Sequence, residues 1–210
     1  MPIVNLHGLD TVNRVPSSDK ELECLFQRLF DTLGGGENSE IVNVELLNYP
    51  EMVYMGAKIH GKPLGEVEED VIAQSAEFSY KYAFYVLKGR FESGEQAISR
   101  DAKIAYAYAL NVLHDRFEMA EQTIAQDSFF SYAYATWVLH GRFKAGEFII
   151  SIDPKISYLY ARDVIHGRFP LGERAISRTI WIACKYAWFL HRNNLTDNCL
   201  QSKEKQNVVR

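Results

Sequence analysis

The stretch DPKISYLYARDVIHGRFPLGE, residues 153–173, decides the fold, because most of it recurs at a fixed step along the chain. Tyr82, Tyr108, Tyr134, Tyr160 and Tyr186 stand 26 residues apart, and Ala83, Ala109, Ala135, Ala161 and Ala187 follow them. Arg90, Arg116, Arg142 and Arg168 keep the same step, as do Phe91, Phe117, Phe143 and Phe169, and Glu95, Glu121, Glu147 and Glu173. A period of this size, held without insertion, is the mark of stacked supersecondary units. A degenerate unit precedes them: Tyr54, Gly61 and Pro63-Leu64-Gly65-Glu66 echo Tyr160, Gly167 and Pro170-Leu171-Gly172-Glu173, with a loop one residue shorter. A last partial unit runs through Tyr186-Ala187 and fades near Arg192.

Each unit reads as two helices. Asp101, Asp127 and Asp153 sit where a helix needs an N-cap, and Pro154 falls at the first helical position, which tolerates proline. An apolar pattern then runs for about three turns to Val112-Leu113, Val138-Leu139 and Val164-Ile165. Gly89, Gly141 and Gly167 follow where a helix-ending residue in the left-handed conformation is expected, with Asp115 in that place in one unit. The following phenylalanine is expected to fold back on the helix, and a short second helix carries Ala175-Ile176 inward. Short connections make the helices antiparallel neighbours. The fold predicted is all-α, an α-solenoid of tandem 26-residue helix-turn-helix repeats with an N-terminal helical cap. The cap is expected over 1–45, with a helix opened by the capping box Ser18-Asp19-Lys20-Glu21 and one short strand at Ile3-Val4. The array spans 46–192, and 193–210 is a polar tail.

Positions held fixed between units are scaffold, and positions left free report on surface. The fixed set holds the small residue at Ser79, Ala105, Ser131 and Ser157, the tyrosine pair, the alanine and the Val-Leu pair. Small residues one turn apart let helices approach closely. The tyrosines are expected to pack between units and to place their hydroxyls at the rim. The free set lies on one stripe of the long helix. In order it reads Lys81, Phe84, Tyr85 and Lys88; Ala107, Leu110, Asn111 and His114; Ala133, Thr136, Trp137 and His140; Leu159, Arg162, Asp163 and His166; Lys185, Trp188, Phe189 and Arg192. A stripe that meets only water should be polar, yet aromatics and arginines, the residue types that anchor interfaces, interrupt this one. A protein-binding face is one reading; packing of these aromatics under caps or a dimer mate is the other.

Other chemistry finds less support. His114, His140 and His166 lie on stacked helices about 8–10 Å apart, too far to share a zinc at about 2 Å per ligand. Each falls in the last turn of its helix, where the macrodipole favours a cation. The arginines of the Gly-Arg-Phe turn form a row suited to phosphates, but each has a glutamate five residues on to pair with. Residues 1–70 hold 13 acidic and 5 basic side chains and residues 71–210 hold 14 and 18, a mildly basic array that keeps a nucleic-acid partner as the alternative. A phosphate loop needs more than Gly34-Gly35-Gly36, and there is no G-x-S-x-G or H-E-x-x-H. No catalytic, cofactor or metal residues are therefore assigned. Cys24, Cys184 and Cys199 have no paired spacing and read as free thiols of a reducing compartment. The start of the chain reads as no signal peptide, and no apolar run has membrane-spanning length.

The unit D-P-x-x-S-Y-x-Y-A-x-x-V-I-x-G-R-F-P-x-G-E, complete at Asp153–Glu173, resembles a tandem repeat of bacteriophage and large-virus proteins. The resemblance covers residues 50–192. It departs at Asp115, where glycine is expected, and at Ser75-Ala76 and Thr179-Ile180, where Asp-Pro is lost. It implies a helical array, a viral origin and action in the host cytoplasm, and it implies no catalytic residue. The function expected is non-catalytic binding of a host or viral protein, one version being a phage inhibitor of a bacterial defence or regulatory protein. Nucleic-acid binding and self-assembly into a structural subunit are the alternatives.

Overall fold

Four of the helices start on a side chain that accepts from their own first turn. Asp101, Asp127 and Asp153 take the backbone N–H of Ile104, Phe130 and Ile156 at 2.9, 2.9 and 2.8 Å, and Ser75 does so more weakly for Phe78 at 3.5 Å. The structure, a computed structural model, describes residues 49–195 together with Lys20 and Cys24. Its described residues form eleven α-helices and no strand. The capping box at 18–21, the strand at 3–4 and the tail beyond 195 lie outside the residues so described, apart from Lys20.

Contacts divide the chain between Gly94 and Glu95. In the first part, α1 (Pro50–His60) and α2 (Glu66–Ala73) precede α3 (Ala76–Lys81), whose end widens into a π turn over Tyr82–Leu87. In the second part, α4 (Glu95–Ile98), α6 (Glu121–Ile124), α8 (Glu147–Ile150) and α10 (Pro170–Ile176) are the short helices. They alternate with the long ones, α5 (Ala102–Tyr108), α7 (Ser128–Trp137), α9 (Pro154–Tyr160) and α11 (Ile180–Arg192). The ends of α5 and α9 also widen into π turns, over Ala109–Leu113 and Ala161–Ile165. The chain is a tandem helical repeat, and a tyrosine–glutamate hydrogen bond recurs at the 26-residue step.

That bond holds each long helix to the turn before it. Tyr134 donates to Glu121 at 3.3 Å and accepts from the Phe117 N–H at 2.8 Å. Tyr160 repeats this with Glu147 and Phe143, and Tyr186 with Glu173 and Phe169. The same glutamates take bidentate bonds from Arg116, Arg142 and Arg168 at 2.7–2.9 Å. The rings pack edge-on or tilted against the phenylalanine of their own unit, with centroids 5.2 Å apart for Tyr134 and Phe143 and 5.3 Å for Tyr160 and Phe169. Aromatic pairs prefer this geometry.

Three local expectations are corrected. Gly89, Gly141 and Gly167 are not the left-handed residues; the residue before each is, with φ 51° at Lys88, 48° at His140 and 53° at His166, and His114 matches at 52°. The glycine N–H groups instead bond back to Ala83, Ala135 and Ala161 at 3.0–3.1 Å, six positions back and so one residue wider than a Schellman closure. Second, Tyr82 finds Glu69, at 2.9 Å, and not Glu66, while the Leu64 N–H donates to it at 2.8 Å. Glu69 stands 26 residues before Glu95, so this pair keeps the 13-residue spacing of every other tyrosine–glutamate pair, and Glu66 is the residue out of register. Third, the hydroxyls of Tyr108, Tyr134 and Tyr160 lie inside, on residues that expose no surface. The carboxylate, half-neutralised by arginine, makes that interior position tolerable.

Candidate binding face

Four of the singled-out residues lie in the first part of the chain. Phe84 and Tyr85 are exposed and meet edge to face at 4.9 Å, and Lys88 is exposed at the helix end. Phe84 also stacks on Tyr80 at 5.9 Å, and the Lys58 ammonium lies 5.9 Å from the Tyr85 ring. Lys81 is half-buried and ion-paired to Glu77 at 2.9 Å. The sequence assigned these residues to one patch; here Lys81 belongs to the helix flank, and Phe84-Tyr85 forms the exposed part.

The second part carries the remainder. Asn111, His114, Trp137, His140, Arg162, His166, Trp188 and Arg192 are exposed, while Asp163 and Phe189 are half-buried and Ala133 is buried. Trp137 is 59% exposed and Trp188 60%, whereas the fixed rings Tyr82, Tyr108, Tyr134, Tyr160 and Tyr186 and their phenylalanines are buried and Tyr80, Tyr106, Tyr132 and Tyr158 are half-buried. Arg162 gives Asp163 a bidentate pair at 2.6 and 2.8 Å, and the Tyr132 hydroxyl donates to the same carboxylate at 2.8 Å. Burial alone would raise the Asp163 pKa, but the bonds from Arg162 and Tyr132 outweigh it and hold the carboxyl below its usual range. Burial, with Asp163 adding, pushes the Tyr132 phenol up to about 12. Asp163 thus ties α7 to the end of α9.

Two of the outward cations lie on aromatic faces. The Arg192 guanidinium is 5.0 Å from the Trp188 ring centroid and Arg162 is 5.5 Å from that of Tyr158. Between α9 and α11 an open groove of about 670 Å³ is lined by Tyr158, Arg162, Trp181, Cys184, Lys185 and Trp188. Trp181 and Cys184 were not singled out in the sequence, although Trp181 fills a position occupied by Lys103, Phe129 and Lys155 in earlier units. That variation was the available signal; the stripe was drawn one turn too short to include it.

The remaining candidates are placed as follows. His114, His140 and His166 each close a different helix, and the His166 Nδ1 lies 2.9 Å from the Arg162 carbonyl. Among the described residues no three His, Cys, Asp or Glu side chains converge to hold a metal. The arginine row is tied down by its own glutamates, so Arg116, Arg142 and Arg168 present paired charges. Among the described residues no helix is long and apolar enough to cross a membrane. Comparison of the chain with protein-family models, with curated proteins and with solved structures finds no match.

Proposed function

We propose that this chain is a non-catalytic helical repeat protein, its units stacked as an α-solenoid, that binds a protein partner through the variable face of its long helices. The observation that carries this reading is the exposure of Trp137 and Trp188 on a scaffold whose fixed aromatics are buried or half-buried. A large exposed indole beside arginine is the kind of side chain on which interfaces concentrate their energy. The resemblance of the unit to phage and large-virus repeats adds the setting: a host or viral protein in the cytoplasm, a bacterial defence or regulatory protein being one version. The exposed thiols Cys24 and Cys184 suit a reducing compartment.

Affinity capture by the tagged chain from infected host cells, followed by titration of the purified partner, tests the proposal. Trp137→Ala and Trp188→Ala should each weaken binding by at least about 2 kcal/mol, roughly 30-fold, while the melting temperature stays within a few degrees. Binding that survives both substitutions overturns the face. Nucleic acid is the second reading, favoured by the cationic side chains on α9 and α11. It requires affinity that falls steeply with salt and is lost when Arg162 and Arg192 are neutralised. The bidentate pairing of the arginine row weighs against it. Self-assembly, the third reading, requires species larger than a discrete small oligomer in sedimentation.

A further inference from the structure

We infer that the groove between α9 and α11 receives an acidic segment of the protein partner, in which carboxylates flank an apolar side chain. This rests on the protein-binding reading and names the chemistry of one part of that face. The groove arises from two departures at the last joint of the repeat. The position held by Tyr106, Tyr132 and Tyr158 becomes Cys184, a much smaller side chain. The position that in the preceding joint supplies the acceptor Asp163 to Tyr132 becomes Phe189, which accepts nothing. The tyrosine strut that spans the joint between α7 and α9 therefore has no counterpart between α9 and α11.

The walls fix the class of occupant. Arg162 and Lys185 line the groove, Lys155 and Arg192 lie on the same two segments beside it, and the single acid of residues 154–165 and 180–192, Asp163, is already bonded by Arg162 and Tyr132. On a chain of net charge −4 this is a local cationic surplus, complementary to carboxylates. Trp181, 78% exposed, and Trp188 stand seven residues apart on α11, roughly 10 Å along the axis, which leaves room between them for an apolar side chain. Nucleic acid would need open ring faces for its bases to stack on. Here arginines lie over two of the three groove rings, Arg192 over Trp188 and Arg162 over Tyr158, and since the Arg162 fork is engaged by Asp163 it is Arg192 and Lys185 that suit an incoming carboxylate.

The test uses the full chain with Trp137→Phe, so that tryptophan emission comes from Trp181 and Trp188 alone. A glutamate–tyrosine copolymer is the probe, compared with a lysine–tyrosine copolymer and with oligothymidylate. The glutamate–tyrosine copolymer should change the emission saturably, and in a Cys24→Ser, Cys199→Ser background it should slow iodoacetamide alkylation of Cys184 by about tenfold. Lys185→Glu and Trp188→Ala should each weaken binding by about tenfold or more. Cys184→Tyr, which restores the residue of the other units, should fill the groove and abolish binding with the fold intact. Equal binding of the lysine copolymer, preference for oligothymidylate, or indifference to Lys185→Glu and Cys184→Tyr overturns the inference. If the inference fails while partner capture still depends on Trp137, the wider protein-binding reading stands. Capture that ignores both Trp137 and Trp188 removes that reading instead.

Discussion

A Cβ built on Gly146 would lie 2.5 Å from the Ser131 Oγ and 2.6 Å from Phe143 Cδ1, closer than any real contact. Gly94 meets Ser79 in the same way, and Gly172 meets Ser157. In the one unit where alanine replaces the glycine, at Ala120, the serine is also replaced, by Ala105. The two positions therefore act as a pair, serine with glycine or alanine with alanine, because the hydroxyl and the extra methyl compete for one space. Gly146→Ala should cost about 1–3 kcal/mol in urea unfolding. Ser131→Ala alone should cost about 1 kcal/mol through its lost bond to the Ile124 carbonyl. In the double variant the two should couple favourably by at least about 0.5 kcal/mol; strict additivity would show that the pairing has no packing origin. Tyr134→Phe belongs to the same scale. It strips the buried Phe117 N–H of its acceptor and Glu121 of a donor, at about 1–3 kcal/mol by the same assay.

At the scale of the element, starts and stops obey different chemistry. Asp127→Ala should lower stability by about 1 kcal/mol, as loss of an N-cap does. The stop lies at His140, whose left-handed backbone strains any residue with a Cβ. His140→Gly should gain a few tenths to about 1 kcal/mol. Gly141→Ala should fall within about 0.5 kcal/mol of the parent, since its added methyl meets only the Leu139 carbonyl at 3.7 Å. Thermal melts of the two variants separate these outcomes. The N-caps were legible in the sequence because aspartate before a helical apolar pattern has one physical use, and Asp101, Asp127 and Asp153 recur in register. The stop was read one residue late, because glycine is the usual left-handed residue and nothing in Lys88 or His140 advertises that conformation; Asp115 in the glycine's place was the available hint. The pairing of Tyr82 with Glu69 was legible from the 26-residue step, since Glu69 stands 26 residues before Glu95, but the Pro-Leu-Gly-Glu echo drew attention to Glu66 instead. The candidate face was legible where variation between units exposed it, at Trp137 and Trp188. The groove was not, because it depends on what Cys184 and Phe189 fail to supply across two helices.

At the scale of the whole molecule the joints set the response to pH. Burial is the largest influence on Tyr82 and Tyr134, and it pushes both phenols up to about 12; Tyr160 is raised further. The folded chain holds these protons where the unfolded chain begins to release them near pH 10. Their stabilisation is therefore intact below about pH 10 and is lost as pH rises toward 12. Urea midpoints should fall steeply across that window, and Tyr134→Phe should flatten the fall by about 1.4 kcal/mol per pH unit, the share of one proton. On the acid side, Glu147 and Glu173 are held below the usual carboxylate range. For Glu147 burial opposes this but Arg142 and Tyr160 outweigh it, and for Glu173 Arg168 leads. Their contribution is complete above about pH 4.3 and disappears as pH drops through the lowered values. A plateau that extends unchanged beyond pH 12 would contradict the tyrosine assignment.

The tyrosine joint also governs how this chain could change in length. Every unit is a plug and a socket at once, its tyrosine docking backward and its arginine, glutamate and phenylalanine amide receiving the next. Excising residues 121–146 would bring Arg116 five positions ahead of Glu147 and leave Tyr160 to dock there in turn. The Ala105–Ala120 pair would be left whole, since both its members belong to one unit. Any cut that is not a multiple of the period shears plug from socket. Duplication and loss of whole 26-residue segments are thus the edits this architecture absorbs, and single-residue insertions within a joint are the ones it resists.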